Sequence, residues 1–129
     1  MKPQDAAIGI HILADLYGVE ASALRDGDAL ESLLCRVARE AGAHVLSSHF
    51  HRFGEGGGIT GVVLLAESHI SIHTWPECGL AAADIFMCGA TDAERALAIL
   101  IEELTPTHRH IERAARGHGR GSGSSADSQ

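Results

Sequence analysis

The chain has 129 residues, 45% of them apolar and 21% charged, with a formal net charge of −7. That is enough for one domain with a real core and hardly enough for two. The acidic balance argues against a nucleic-acid backbone as partner, and no apolar run approaches the roughly 18 residues of a membrane span. The start, Met1-Lys2-Pro3-Gln4-Asp5, lacks the apolar stretch of a signal peptide, so a cytoplasmic protein is expected. Cys35, Cys78 and Cys88 make neither a disulfide framework nor a CxxC pair, so at least one free thiol is expected.

From Ile8 to Tyr17 the residues alternate and are β-branched, predicting a half-buried strand. Asp26-Gly27-Asp28 breaks the pattern and supplies a helix cap. Leu30, Leu33, Leu34, Val37, Ala38 and Ala41 then follow at helical spacing until Gly42 ends the helix. Strands are predicted for Val45 to Phe53 and Ile59 to Ala66, around a glycine-rich loop from Gly54 to Gly58, and again for Ile70 to Trp75 and Leu80 to Cys88. Thr91-Asp92-Ala93-Glu94 reads as a capping box opening a helix through Leu104, and Pro106 prevents its continuation. A last strand is expected over Thr107 to Ala114. The fold expected is α+β: a two-layer sandwich, an antiparallel sheet with two helices on one face. The uncovered sheet face must meet solvent or a second copy, which favours a dimer. Residues 1–116 form the predicted domain, and the Gly- and Ser-rich residues 117–129 read as a disordered tail.

Reactive side chains concentrate between Phe50 and Cys88. Several chemistries compete for them. His49, His51, His69 and His73 include pairs two apart, which share a strand face and could hold zinc. Ser68 with His73 and a carboxylate could be a hydrolase triad, although no Gly-x-Ser-x-Gly elbow surrounds the serine. Gly54, Gly56, Gly57 and Gly58 could cradle a phosphate, although no Lys-Ser or Lys-Thr follows. Cys88 taken alone would more often be a buried strand cysteine than a catalyst, Trp75 before Pro76 could be a core residue at a strand end, and His69 a satisfied histidine.

The run Ala66-Glu67-Ser68-His69-Ile70-Ser71-Ile72-His73-Thr74-Trp75-Pro76-Glu77, with Asp84-Ile85-Phe86-Met87-Cys88-Gly89 downstream and Phe50-His51-Arg52-Phe53 upstream, strongly resembles the small prokaryotic S-adenosylmethionine decarboxylase proenzymes. The likeness runs from about Gly9 to Gly117. It implies that the Ser68 hydroxyl attacks the Glu67 carbonyl and the chain divides after Glu67, into a β chain of residues 1–67 and an α chain of residues 68–129. The resemblance makes the cofactor a pyruvoyl group (pyruvate bound through Ser68). Such a carbonyl can accept the electron pair left by departing CO₂, which no ordinary side chain can. It assigns acid/base duty in processing to His73, with Thr60 where the family usually has a serine that hydrogen-bonds the intermediate. Cys88 would return the proton to carbon. Phe53 and Trp75 would hold the substrate's adenine and sulfonium, and Glu77 its ribose hydroxyls. No metal is implied, and the partners are an amino-acid-type small molecule and a second αβ heterodimer. The product would be the aminopropyl donor for spermidine. A glycine-rich loop from Gly54 to Ile59 replaces the family's proline-containing one, and Cys78 and Leu80 stand where relatives often carry aromatics. Arginine and ornithine, decarboxylated by relatives with altered pockets, are the alternative substrates, and a homologue that never processes is the non-enzymatic alternative. Cys35 and Cys78 have no assigned role.

Overall fold

Along the first strand, β1 (Gly9–Tyr17), Ile12, Ala14 and Leu16 are buried while Leu13 is 45% exposed, the two-residue period of a sheet with one covered face. The computed structural model describes residues 7–117. A single turn, α1 (Ala21–Leu24), follows β1, then α2 (Gly27–Glu40), β2 (Val45–Arg52), β3 (Ile59–Leu65), β4 (Ser68–Trp75), a 3₁₀ turn at Pro76–Cys78, β5 (Leu80–Cys88), α3 (Ala93–Leu104) and β6 (His108–Arg116). All pairings are antiparallel, in the order β2-β3-β4-β5-β1-β6. Strands β2 to β5 are thus the expected meander, and β1 lies between β5 and the last strand.

The two long helices lie on one face of this sheet. Leu30, Leu34, Val37 and Ala38 of α2 and Ala96, Leu97, Ile99 and Leu100 of α3 are buried against the inward residues of the strands, among them Ile70, Ile72 and Ile85. The α+β two-layer sandwich is therefore as expected. Asp26 caps α2, accepting the Ala29 N–H at 3.0 Å. At α3 the cap is Asp92, which accepts the Arg95 N–H at 3.0 Å, not the expected Thr91; the Thr91 hydroxyl instead donates to the Cys88 carbonyl. The turn α1 was not anticipated, and it is too short to carry a helical period. The tail expected over 117–129 lies, from residue 118 on, outside the described residues. Among the described residues no helix is long and apolar enough to cross a membrane.

One buried polar side chain ties three segments together. Thr74, 5% exposed, accepts the Ile59 N–H at 2.9 Å and donates to the Leu24 carbonyl at 2.6 Å. Thr74→Val keeps the shape but leaves a buried donor and a buried acceptor unpaired. A loss of about 1–3 kcal/mol of unfolding free energy is expected, read from the urea midpoint at unchanged slope.

Candidate active site

The face of the sheet turned away from the helices carries the chemistry. Cross-strand register sets its rows: Leu64, His69, Phe86 and His11 stand side by side in one, Val62, Ser71, Asp84 and Leu13 in the next, and Thr60, His73, Ala82 and Asp15 in a third. Seven of the eight histidines among the described residues share this face, with His11, His69 and His73 toward its middle and His49, His51, His108 and His110 on the outer strands. A solvent-facing sheet surface more often carries charged residues, so this composition makes the face the candidate site.

At one end of the face is the turn between β3 and β4. Leu65 pairs with Ser68, leaving Ala66-Glu67 as a two-residue hairpin loop. Sequence reasoning expected β4 to begin at Ile70; the tight turn instead draws Ser68 and His69 into the ladder. Ser68 has φ 142°, a region that side-chain-bearing residues rarely adopt and that costs about 1–3 kcal/mol. The carbonyl just before it, that of Glu67, accepts two hydrogen bonds from Cys88: from the Sγ–H at 3.1 Å and from the backbone N–H at 3.3 Å. Cys88, half-buried at the end of β5, thus polarises the one carbonyl that self-cleavage would attack.

The turn is anchored from the side. The Ala66 N–H donates to the His44 carbonyl at 2.9 Å, and the Glu67 carboxylate accepts the His44 backbone N–H at 3.0 Å and lies 2.8 Å from His44 Nδ1. The His44 backbone N–H first, and the ring second, hold the Glu67 carboxyl below the usual carboxylate range.

Beside the turn lies a network that the sequence did not reveal. Asp84 Oδ1 is 2.9 Å from His69 Nε2 and 3.4 Å from His11 Nε2, and Asp84 Oδ2 accepts the Ser71 hydroxyl at 2.6 Å. Arg116 donates to His11 Nδ1 at 2.9 Å and stacks over Phe86. Ser68 Oγ is 3.4 Å from His69 Nδ1. The ligand atoms of His11, His69 and Asp84 lie within 4.8 Å of one another and are of types that bind cations, but their mutual hydrogen bonds already account for the arrangement. The four-histidine zinc set weighed above is not assembled: His69 joins His11 and Asp84, while β3 separates His49 and His51 from His73.

At the other end of the face, His73 Nδ1 is 3.1 Å from Thr60 Oγ1 directly across from it, and Trp75 follows with ring centroids 6.4 Å apart. Phe53, Thr60, His73, Trp75 and Glu77 line a cleft of about 370 Å³. Trp75 and Phe53 are 41% and 57% exposed, apolar rings open to a stacking partner. So Thr60, His73, Trp75, Phe53 and Glu77 are brought together, and so are Glu67, Ser68 and Cys88, but the two groups are apart. His73 stands five residues along β4 from Ser68, about 16 Å at the rise of a strand. Within one chain His73 cannot reach the Ser68 hydroxyl.

A family model for S-adenosylmethionine decarboxylase matches residues 10–117. The chain is 45% identical over 114 residues to the S-adenosylmethionine decarboxylase proenzyme of Persephonella marina, covering 88% of this chain and 85% of that one. It is 49% identical over 100 residues to the proenzyme of the same name from Aquifex aeolicus, covering 77% and 73%. The crystal structure of the Aquifex aeolicus adenosylmethionine decarboxylase superposes with a TM-score of 0.82 at 41% identity, over 93% of this chain and 99% of that chain.

The Glu67 contact gives a pH dependence of definite sign. A carboxyl with a depressed folded-state pKa contributes stability that is complete above its unfolded pKa and is lost as pH falls through the folded one. Acidification into and below the carboxylate range should therefore release the turn. Hydrogen exchange at the His44 amide, compared with a Glu67→Gln variant to remove the intrinsic acid effect, should show protection falling with pH in the parent and little pH-dependent change in the variant.

Proposed function

This chain belongs to the S-adenosylmethionine decarboxylase family, and from that premise we propose how its side chains perform the reaction. The chain is a decarboxylase of S-adenosylmethionine, made as a proenzyme that divides itself after Glu67. The observation that carries the reading is the Glu67 carbonyl, held by two donors of Cys88 and followed by a serine on strained backbone. Those residues fit the formation of a pyruvoyl group at position 68: a hydroxyl next to a polarised carbonyl, on a turn that relaxes when the peptide bond breaks. A pyruvoyl carbonyl supplies the place where the electron pair released with CO₂ can go.

Residues 1–116 make up the decarboxylase domain. Cleavage leaves β1, β2 and β3 on the chain of residues 1–67 and β4, β5 and β6 on that of residues 68–129. The two chains stay interlocked, because β1 lies between β5 and β6 and β3 pairs with β4. The Cys88 thiol remains beside the new terminus with a proton to give to carbon. Phe53 and Trp75 offer ring faces to the adenine and sulfonium, and Glu77 offers a carboxylate to the ribose hydroxyls. This aromatic and acidic cleft suits a nucleoside sulfonium better than the guanidinium or amine side chains of arginine or ornithine.

The distance between the two groups of residues makes the working unit a dimer of αβ heterodimers. Two copies stacked face to face about a two-fold axis that lies between the sheets and crosses the strands reverse strand direction. Such stacking sets Thr60, His73, Trp75 and Glu77 of the partner subunit over Ser68 and Cys88. The exposed Leu13, Leu64 and Trp75 on that face give the contact its apolar component. His73 of the partner subunit then removes the Ser68 Cα proton during processing.

Fresh protein should run as two fragments on denaturing electrophoresis, and Ser68→Ala as one. A mixture of Ser68→Ala and His73→Ala chains tests the shared site. The His73→Ala chain should be cleaved in the mixed dimer and not alone; a mixed dimer in which it stays whole would sink the shared arrangement. Cys88→Ala should still mature, since the residue 88 N–H remains on the Glu67 oxygen, but its CO₂ release should fall by about 100-fold or more.

A further inference from the structure

We propose that His69, positioned by Asp84, is the base that takes the Ser68 hydroxyl proton in the first step of self-cleavage, within one chain; this rests on the self-processing reading above. The hydrogen bonds fix the tautomer. A carboxylate only accepts, so the His69 nitrogen 2.9 Å from Asp84 Oδ1, Nε2, carries the hydrogen, and the neutral ring turns the lone pair of Nδ1 toward Ser68 Oγ, 3.4 Å away. The second histidine obeys the same logic. Arg116 can only donate, so His11 Nδ1 accepts from it and His11 Nε2–H points at Asp84 Oδ1. Ser71 holds the other carboxylate oxygen at 2.6 Å. Three donors from β4 and β1 thus hold Asp84, which in turn orients the His69 imidazole.

Serine, histidine and carboxylate therefore form a relay of the hydrolase type, assembled from adjacent residues on β4 and one on β5. The acceptor of the attack is equally prepared, because Cys88 directs its S–H and N–H at the Glu67 oxygen. In the step, the Ser68 hydroxyl proton passes to His69 Nδ1 while Oγ bonds to the Glu67 carbonyl carbon, and the charge develops on the oxygen held by Cys88. The C–N bond then breaks, and the departing Ser68 nitrogen takes the proton back from His69. The products are an ester and an amine, with no other reactant consumed. The Oγ–Nδ1 distance has to close by about half an ångström, as unloaded acid/base pairs commonly do.

The later elimination removes a different proton, the one on Ser68 Cα, and expels the Glu67 carboxylate. Two proton transfers in two directions explain why two histidines surround one serine. His69 serves the first from the same chain, and His73 of the partner subunit serves the second.

Hydroxylamine cleaves the ester as it forms and so bypasses elimination, which separates the two steps. With hydroxylamine present, His73→Ala should yield two fragments at close to the parent's rate. His69→Ala should remain slowed by about 100-fold or more, and Asp84→Asn by about tenfold or more. Free imidazole should restore part of the His69→Ala rate, since the ring is partly open to solvent; a His69→Gln variant with an unchanged unfolding midpoint guards against a folding defect. Cleavage of His69→Ala at the parent's rate in hydroxylamine, or a slow but folded variant indifferent to imidazole, overturns the assignment. A parent protein that stays whole would instead remove the self-processing reading itself.

Discussion

Strand β4 is fixed in register from both sides, and the rest of the molecule follows from that constraint. Ile70 stands opposite Val63 on β3 and Ile85 on β5, Ile72 opposite Gly61 and Ala83, and all are buried under the helices. A slip of one residue would turn these isoleucines to solvent and press His69, Ser71 and His73 into an apolar layer. Thr74 closes the other end of the constraint by bonding to the backbone of both Ile59 and Leu24. Alternation then places His69, Ser71, His73 and Trp75 on the open face, while Ser68 stands at the turn where the strand begins. Gly61 contributes by lacking a side chain, since a Cβ there would meet the Phe50 ring at 2.1 Å.

The same rigidity separates the chemistry. A strand cannot fold back on itself within five residues, so Ser68 and His73 are held toward opposite ends of β4. A single sheet with one bare face thus holds two separate groups of candidate residues, which the proposed second copy in reversed orientation would unite. Exposed leucines and a tryptophan among histidines are consistent with a surface that is covered in its working state.

Strain and polarisation gather at the Glu67–Ser68 bond, the proposed point of cleavage. The backbone of Ser68 is held in an unfavourable region by a hairpin whose loop is clamped through Glu67 and Ala66 to the segment entering β2. The clamp is electrostatic and local, while the Cys88 donors arrive from the end of β5, which the central strand pairing brings alongside. On the proposed reading, cutting this bond would release only the turn, because the interleaved strands would keep the two pieces together.

The sequence by itself determined the six strands, the two long helices with their ends at Asp26 and Gly42, and the antiparallel meander, local properties written in period, capping residues and turn residues. The serine, cysteine and aromatic positions were pointed out only by the resemblance of one long motif to a family. The sequence could not place β1 between β5 and β6, nor bring Asp84 to His69 and His11, since those contacts join residues 15 and 73 positions apart in the chain. Nor could it show that His73 and Ser68 are far apart, since a triad of the two was among the chemistries it left open. Only the tertiary structure decided these, because cross-strand register is set by the packing of the buried face, and the open face inherits it.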